Sequence, residues 1–429
     1  MDEHTSSFEE FSVEMGDFEV KRVGKFDRMW KTGSGGSMLQ HPLLHDGRIY
    51  FGSFNNNVYC LDAKTGGLVW KFRCDSMIGE SSPHYWDGCI YFGSFDQNFY
   101  CLNAKTGALK WKFWTNDVVY SECAIAQGRV FFGGKDRFVY CLDAKTGGLV
   151  WKFETHDEVI STPSFYEGKL FVGSADHNLY CLNAATGDVI WKVQTQGEVH
   201  NMNAFETHGG RVFFASFDNF LRAVNIKTGD VLWKFPTGMY GNGASPVVHE
   251  GLIYHSSRDG NLFCLTFDGE LVWKYVNSKH MGIPFIYKDR MYLGSEDLNL
   301  HCFSLQGEKL WSFKTEGPVF IRCAAEGGTL FFTSWDCFLY ALDLKTRDFI
   351  WKFRADGAPA YLPPPYESFE MVLKIGRSDA QDAGMQEYVF GAFDAGRNVS
   401  AYKSEMAYQS STTYRSKGKY QVDADKEEF

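Results

Sequence analysis

Hydrophobic and polar positions alternate in short runs along most of this chain, and the runs recur in a fixed order. One unit reads clearly between residues 117 and 153. Val118–Ala126 predicts a first strand, and Gly128 marks a turn into Arg129–Gly133. Lys135–Arg137 makes the next turn, and Phe138–Leu142 a third strand. Asp143-Ala-Lys-Thr-Gly147 is a tight turn, and Leu149-Val-Trp-Lys-Phe153 a fourth strand. Period-two alternation bounded by Gly, Asp and Asn is the pattern of strands, not of helices. Four short antiparallel strands make one blade of a β-propeller.

The unit repeats. Tryptophans fall at Trp30, Trp70, Trp111, Trp151, Trp191, Trp233, Trp273, Trp311 and Trp351, at intervals of 38 to 42 residues. That period in a strand-rich chain indicates propeller blades. Eight complete units run from about Gly33 to Phe353, with Trp30 as an orphan fourth strand before the first. Pro363-Pro364-Pro365 reads as a linker. Beyond it, Tyr388–Asp394 echoes a second strand and Arg397–Tyr402 a third. The expectation is therefore an all-β, eight-bladed propeller of four-stranded antiparallel blades. Nine blades result if the Trp30 strand joins 388–402 as a composite closing blade, a clasp that would remove an open strand edge. The domain reading is an N-terminal tail over 1–25, a propeller over 26–353 and a C-terminal extension over 354–429 whose end is polar and flexible.

Repeated columns read first as structure. The tryptophans predict wedges between blades, each burying about 150–250 Å². In the Asp62–Gly66, Asn103–Gly107 and Asp143–Gly147 turns, the Asp or Asn is placed to bond amides further along, and the Gly to take positive φ. Cys60, Cys101, Cys141, Cys181, Cys264 and Cys302 share one repeat position with Ala223 and Ala341, so that site calls for a small buried side chain. All 11 cysteines read as reduced thiols.

Composition narrows the class. The net charge is −10, which disfavours nucleic acid, whose phosphates need Lys/Arg patches. The N-terminal residues Asp2, Glu3, Glu9 and Glu10 accompany no apolar run, so neither a signal peptide nor a transit peptide is expected. No stretch approaches membrane-spanning length. A cytoplasmic location with no membrane partner follows as the expectation.

The unit G-x-I-Y-F-G-S-x-D-x-x-x-Y-C-L-D-A-K-T-G-x-L-V-W-K-F resembles the PQQ-like repeat of quinoprotein alcohol dehydrogenase-like propellers, over about residues 30–353. The resemblance implies an eight-bladed ring with interlocking tryptophans. That repeat serves exported PQQ dehydrogenases, an outer-membrane assembly lipoprotein, and cytosolic propellers attached to acyl-activating enzymes or kinases, so it does not by itself imply the cofactor. The sequence departs from the dehydrogenases: it has no adjacent cysteine pair, no export signal and few insertions. PQQ with Ca²⁺ is accordingly disfavoured, and no metal site is expected.

Common catalytic signatures are absent: no P-loop, H-E-x-x-H, C-x-x-C or G-x-S-x-G is present. Two columns carry candidate chemistry. Asn55, Asp96, Asp136, Asp176, Asp218, Asp259, Asp297 and Asp336 follow the second strand. They form either an acidic collar or, as their recurrence favours, a set of turn caps. The lead into the first strand varies from repeat to repeat, and holds His41, Glu80, Glu122, His200, Asn201, Asn203, Asn242, His280 and Arg322. These residues are placed to converge on the channel mouth and bind a small polar or anionic ligand, with His200, His280 and Arg322 as donors and Glu80 or Glu122 as acceptor or base. The bland reading of the same residues is a solvated channel holding an internal Glu–Arg pair. Phe54, Phe95, Phe217, Arg258 and Trp335 predict an aromatic face for a protein partner. The leading expectation is a non-catalytic interaction scaffold. The others are a ligand-dependent oxidoreductase of quinoprotein type and a structural subunit of a large assembly.

Overall fold

The computed structural model describes residues 19–20, 37–200, 206–238, 241, 244–277, 279–320, 322–355, 371–375 and 386–390. The chain divides into two compact units, Lys31–Pro365 and a second made of Met1–Trp30 with Tyr366–Phe429. In the second unit Glu19–Val20, Met371–Ile375 and Gln386–Phe390 form a three-stranded antiparallel sheet.

In the first unit eight four-stranded antiparallel sheets follow one another, each a simple meander, arranged as an eight-bladed propeller. Blade 1 consists of Leu43–His45, Arg48–Gly52, Asn57–Asp62 and Leu68–Arg73. The first strands of blades 2 to 8 are His84–Trp86, Ala124–Ala126, Ser164–Tyr166, Glu206–His208, Val247–His249, Phe285–Tyr287 and Ala324–Glu326. First strands of adjacent blades neighbour one another, which makes them the inner ring. Fourth strands such as Leu149–Glu154 alternate exposed and half-buried and form the outer edge. Of the two blade counts the sequence left open, eight holds. The sheet containing Tyr388 pairs it with Leu373 in the other unit, while Trp30 and 391–402 lie outside the described residues.

The core lies between blades. Cys60 and Trp70 of blade 1 pack with Phe92, Tyr100 and Ala104 of blade 2, and this wedge recurs around the ring. The ring closes the same way. Phe51 and Tyr59 of blade 1 pack with Ala341, Trp351 and Phe353 of blade 8, and Trp351 Nε1 donates to Ala63 O at 3.2 Å. Closure thus rests on a complete first blade and a complete last blade, with no shared strand.

The joint explains two motifs at once. Trp111 Nε1 donates to Ala144 O of the next blade's D-A-K-T-G turn at 3.2 Å. Its ring lies over Gly147, whose φ is +74° and where a Cβ would come within 2.6 Å of Trp111 Cδ2. Glycine meets both demands without strain. Within a blade the Trp sits opposite the Cys/Ala column, as in Cys101↔Trp111 and Ala223↔Trp233, and each third strand bulges just after that residue. A larger side chain there would collide with the indole, hence the small column. All 11 cysteines are buried, and none forms a disulfide. No helix among the described residues is long and apolar enough to cross a membrane.

Candidate functional site at the channel mouth

The second-strand-turn aspartates are consumed by the frame. Asp96 accepts from Asn98 N at 3.1 Å and from Tyr100 Oη at 2.7 Å within its blade. It also accepts from Asp75 N at 3.0 Å, on the segment arriving from blade 1. Asp136, Asp176 and Asp336 repeat the arrangement with Asn116, His156 and Glu316 as the arriving amides. Each carboxylate fastens the linker between two blades, so the column caps turns and is not a collar.

The leads into the first strands behave differently. Counting back from each first strand, the residue two before it is His41, Ser82, Glu122 and Arg322 in blades 1, 2, 3 and 8, and Thr162, Ser245 and Ile283 in blades 4, 6 and 7. The charged members therefore occupy one arc of the ring, from blade 8 through blade 3, and they touch. Arg322 N–H donates to His41 Nδ1 at 2.8 Å, which leaves the imidazole proton on Nε2. His41 Nε2 lies 3.3 Å from Glu122 Oε1. His41 N–H donates to Ser82 Oγ at 2.9 Å. On the other side of Glu122, His84 Nε2 stands 3.9 Å from Oε2 while its Nδ1 lies 3.1 Å from Ser82 O. The residue four before the strand is Glu80 in blade 2 and Tyr120 in blade 3, and Tyr120 Oη donates to Glu80 Oε1 at 2.5 Å.

Burial sets the protonation states. Glu122, 6 % exposed, is pushed up to about 8 by loss of water, with the Ser82 hydrogen bond and the Arg322 charge opposing. Glu80 is pushed up to about 7 by the same loss, against the Tyr120 hydrogen bond and the charges of Arg258 and Lys135. Burial also drives His200 down to about 3, helped by the Arg258, Lys135 and His177 charges. Arg258, on blade 6, thus acts electrostatically on Glu80 of blade 2, Tyr120 of blade 3 and His200 of blade 5.

Of the residues singled out from sequence, Glu80, Glu122, His200 and Arg322 share this field with His41. His280 Nδ1 stands 3.8 Å from Glu296 Oε1 and its ring packs on Phe320. Asn201, Asn203 and Asn242 lie outside the described residues. His84, Tyr120 and Lys135 were missed. A signal existed for His84, which stands where blade 5 has Glu206 and the remaining blades have Leu43, Ala124, Ser164, Val247, Phe285 and Ala324. The five residues of the expected aromatic face are buried or half-buried. Phe54 is buried at 8 %, and Phe95, Phe217, Arg258 and Trp335 are half-buried. Phe95 packs on Tyr120, Phe217 lies between His200 and the Arg258 guanidinium, and Trp335 meets Phe320 edge-on.

A quinone with its calcium ion needs several converging oxygen ligands. Among the described residues no group of three or more His, Cys, Asp or Glu is placed to hold a metal ion, and Glu80 and Glu122 are engaged by Tyr120, Ser82 and His41.

The family described as outer membrane protein assembly factor BamB matches residues 19–119, 112–234 and 218–352. The chain belongs to this family. Among solved structures it is similar to BamB from Moraxella catarrhalis at 16 % identity and a TM-score of 0.62, over 69 % of this chain and 94 % of that one. It is similar to the computationally designed Ika8 protein at 14 % identity and a TM-score of 0.63, over 70 % and 94 %. It is also similar to quinohemoprotein alcohol dehydrogenase ADHIIG from Pseudomonas putida HK5 at 15 % identity and a TM-score of 0.58, over 72 % and 70 %. These likenesses establish the fold. A comparison with curated proteins finds no match.

Proposed function

We propose that this BamB-family propeller is a binding scaffold, and that its recognising element is the charged arc of the channel mouth, which binds and does not catalyse. The observation that carries the reading is a division of labour. Residues that recur in the blades, such as Trp111, Gly147 and Asp96, are satisfied inside the frame. The polar residues that do not recur, from Arg322 through His41 to Glu122 and Glu80, are gathered at one place. Buried ionisable groups that cost stability and do not recur in the frame mark a binding surface. The partner is a protein whose polar segment enters the mouth, in keeping with the assembly role in the family's description. The buried cysteines, none in a disulfide, support a reducing compartment, which imaging of a tagged chain in its own cells would check.

The test is affinity purification with wild type and an Arg258→Ala/Arg322→Ala double variant. A partner recovered at fixed stoichiometry with wild type, and lost from a variant of unchanged melting temperature, supports the reading. Dye-linked alcohol oxidation on adding PQQ and Ca²⁺ would overturn it.

A further inference from the structure

Blade 7 departs from the frame at two positions that face each other. In blades 2, 3, 4 and 8 the turn aspartate binds a tyrosine four residues on, and the tyrosine stands across from a lysine of the fourth strand: Tyr100↔Lys112, Tyr140↔Lys152, Tyr180↔Lys192, Tyr340↔Lys352. In blade 7 the tyrosine is His301, the lysine is Ser312, and the two are cross-strand partners. His301 Nε2 lies 2.9 Å from Asp297 Oδ2 and its Nδ1 2.8 Å from Ser312 Oγ. His301 is buried, at 1 % exposure, while Ser312 is exposed.

The polarity of this row follows from its end. A carboxylate only accepts, so the imidazole proton sits on Nε2, facing Asp297. Nδ1 is then the acceptor, and Ser312 O–H donates to it. Burial works against the Asp297 charge, but hydrogen bonds from His301, Asn299 and Ser295 hold its carboxyl below the ordinary value. Thr315 N–H bonds Leu298 O at 2.8 Å, so alternation along the strand makes 301↔312 a non-hydrogen-bonded pair, in which side chains approach most closely. The same alternation points the Ser312 N–H off the open edge of the sheet. Leu310, exposed at 41 %, shares the face with Ser312 two residues on.

We propose that Ser312, His301 and Asp297 form a Ser–His–Asp site on the outer rim of blade 7 that hydrolyses small acyl esters. This is a function separate from binding at the channel mouth. Ser312 Oγ attacks the ester carbonyl carbon and its proton passes to His301 Nδ1. The C–O bond to the alcohol breaks, and the alcohol leaves with that proton. Water then attacks the acyl-serine, giving its proton to Nδ1, and the carboxylic acid departs as Ser312 regains a proton. The Ser312 N–H is the donor available to the tetrahedral oxyanion, and Leu310 supports a short acyl chain. Asp297 is a positioning residue that holds the tautomer.

The test uses the full chain with a fluorophosphonate probe and with p-nitrophenyl acetate. The wild type should label at Ser312 by peptide mapping and hydrolyse the ester about 100-fold faster than Ser312→Ala, the scale of general-base activation. Ser312 is exposed, so Ser312→Ala and Ser312→Lys, which restores the residue of the other blades, should keep the wild-type melting temperature. Asp297→Asn should slow labelling at pH 7 and move its pH profile, a readout that loss of turn hydrogen bonds alone leaves in place. Equal hydrolysis by wild type and Ser312→Ala, or no label on Ser312, would overturn the proposal and leave His301 as a buried stand-in for tyrosine.

Discussion

The joint that Trp111 makes with the Ala144–Gly147 turn and the arc that Glu122 makes with His41 and Arg322 are both set between blades, yet they have opposite energetic signs. At the joint an apolar ring is buried with its one polar atom bonded. At the arc a carboxyl is buried so far from water that its proton is held up to about 8. The first arrangement recurs around the ring, as with Trp70 on Ala104 and Trp151 on Ala184. The second occurs once. Recurrence goes with stabilisation and singularity with cost, which is the pattern of a stable frame bearing a functional mouth.

Four changes sharpen that contrast. Trp111→Ala removes a wedge and its hydrogen bond, and should cost about 3–5 kcal/mol in denaturant unfolding. Gly147→Ala keeps the wedge but places a methyl against it in a left-handed backbone, and should cost about 2–4 kcal/mol by the same measurement. A loss as small as that of a surface substitution would show that the Trp–Gly contact is not the joint.

Glu122→Gln should act in the other direction, and only at higher pH. Between the ordinary carboxyl value of 4.5 and about 8, the folded state holds a proton that the unfolded chain has released. Stability therefore falls as pH rises through that window. The variant should match wild type near pH 5 and exceed it at pH 8.5 by on the order of 4 kcal/mol, read as melting temperature against pH. Parallel curves would mean that Glu122 is not the buried acid of the arc. The smallest effect belongs to blade 8, where Arg347 replaces the turn glycine at φ +65° and lies 5.9 Å from the Trp311 ring. Arg347→Gly relieves roughly 1 kcal/mol of left-handed strain and forgoes a cation–π contact of about 0.5 kcal/mol, so a slight gain in melting temperature is expected.

Much of the frame was legible before any coordinates. The spacing of Trp70 to Trp351, the turn glycines and the Cys/Ala column each report on a neighbour within one repeat or the next, and local neighbours leave a periodic trace. The turn aspartates were legible as caps for the same reason, although their bond to the arriving linker, as from Asp75 N to Asp96, was not. The candidate site was legible in part. Glu80, Glu122, His200 and Arg322 stood out as departures from their columns, whereas Arg258 was grouped with the aromatic residues of the same face and Tyr120 was passed over.

The sequence by itself determined the blade, its strand order and the residues that join one blade to the next, because these depend on separations along the chain that repeat. Tertiary structure alone decided which singular residues meet. Arg258 acts on Glu80 across the ring only because eight blades of this rotation close it, a distance no local pattern encodes. His301 reaches Ser312 because the register of two strands sets them opposite each other, and a slip of one residue would put them on different faces.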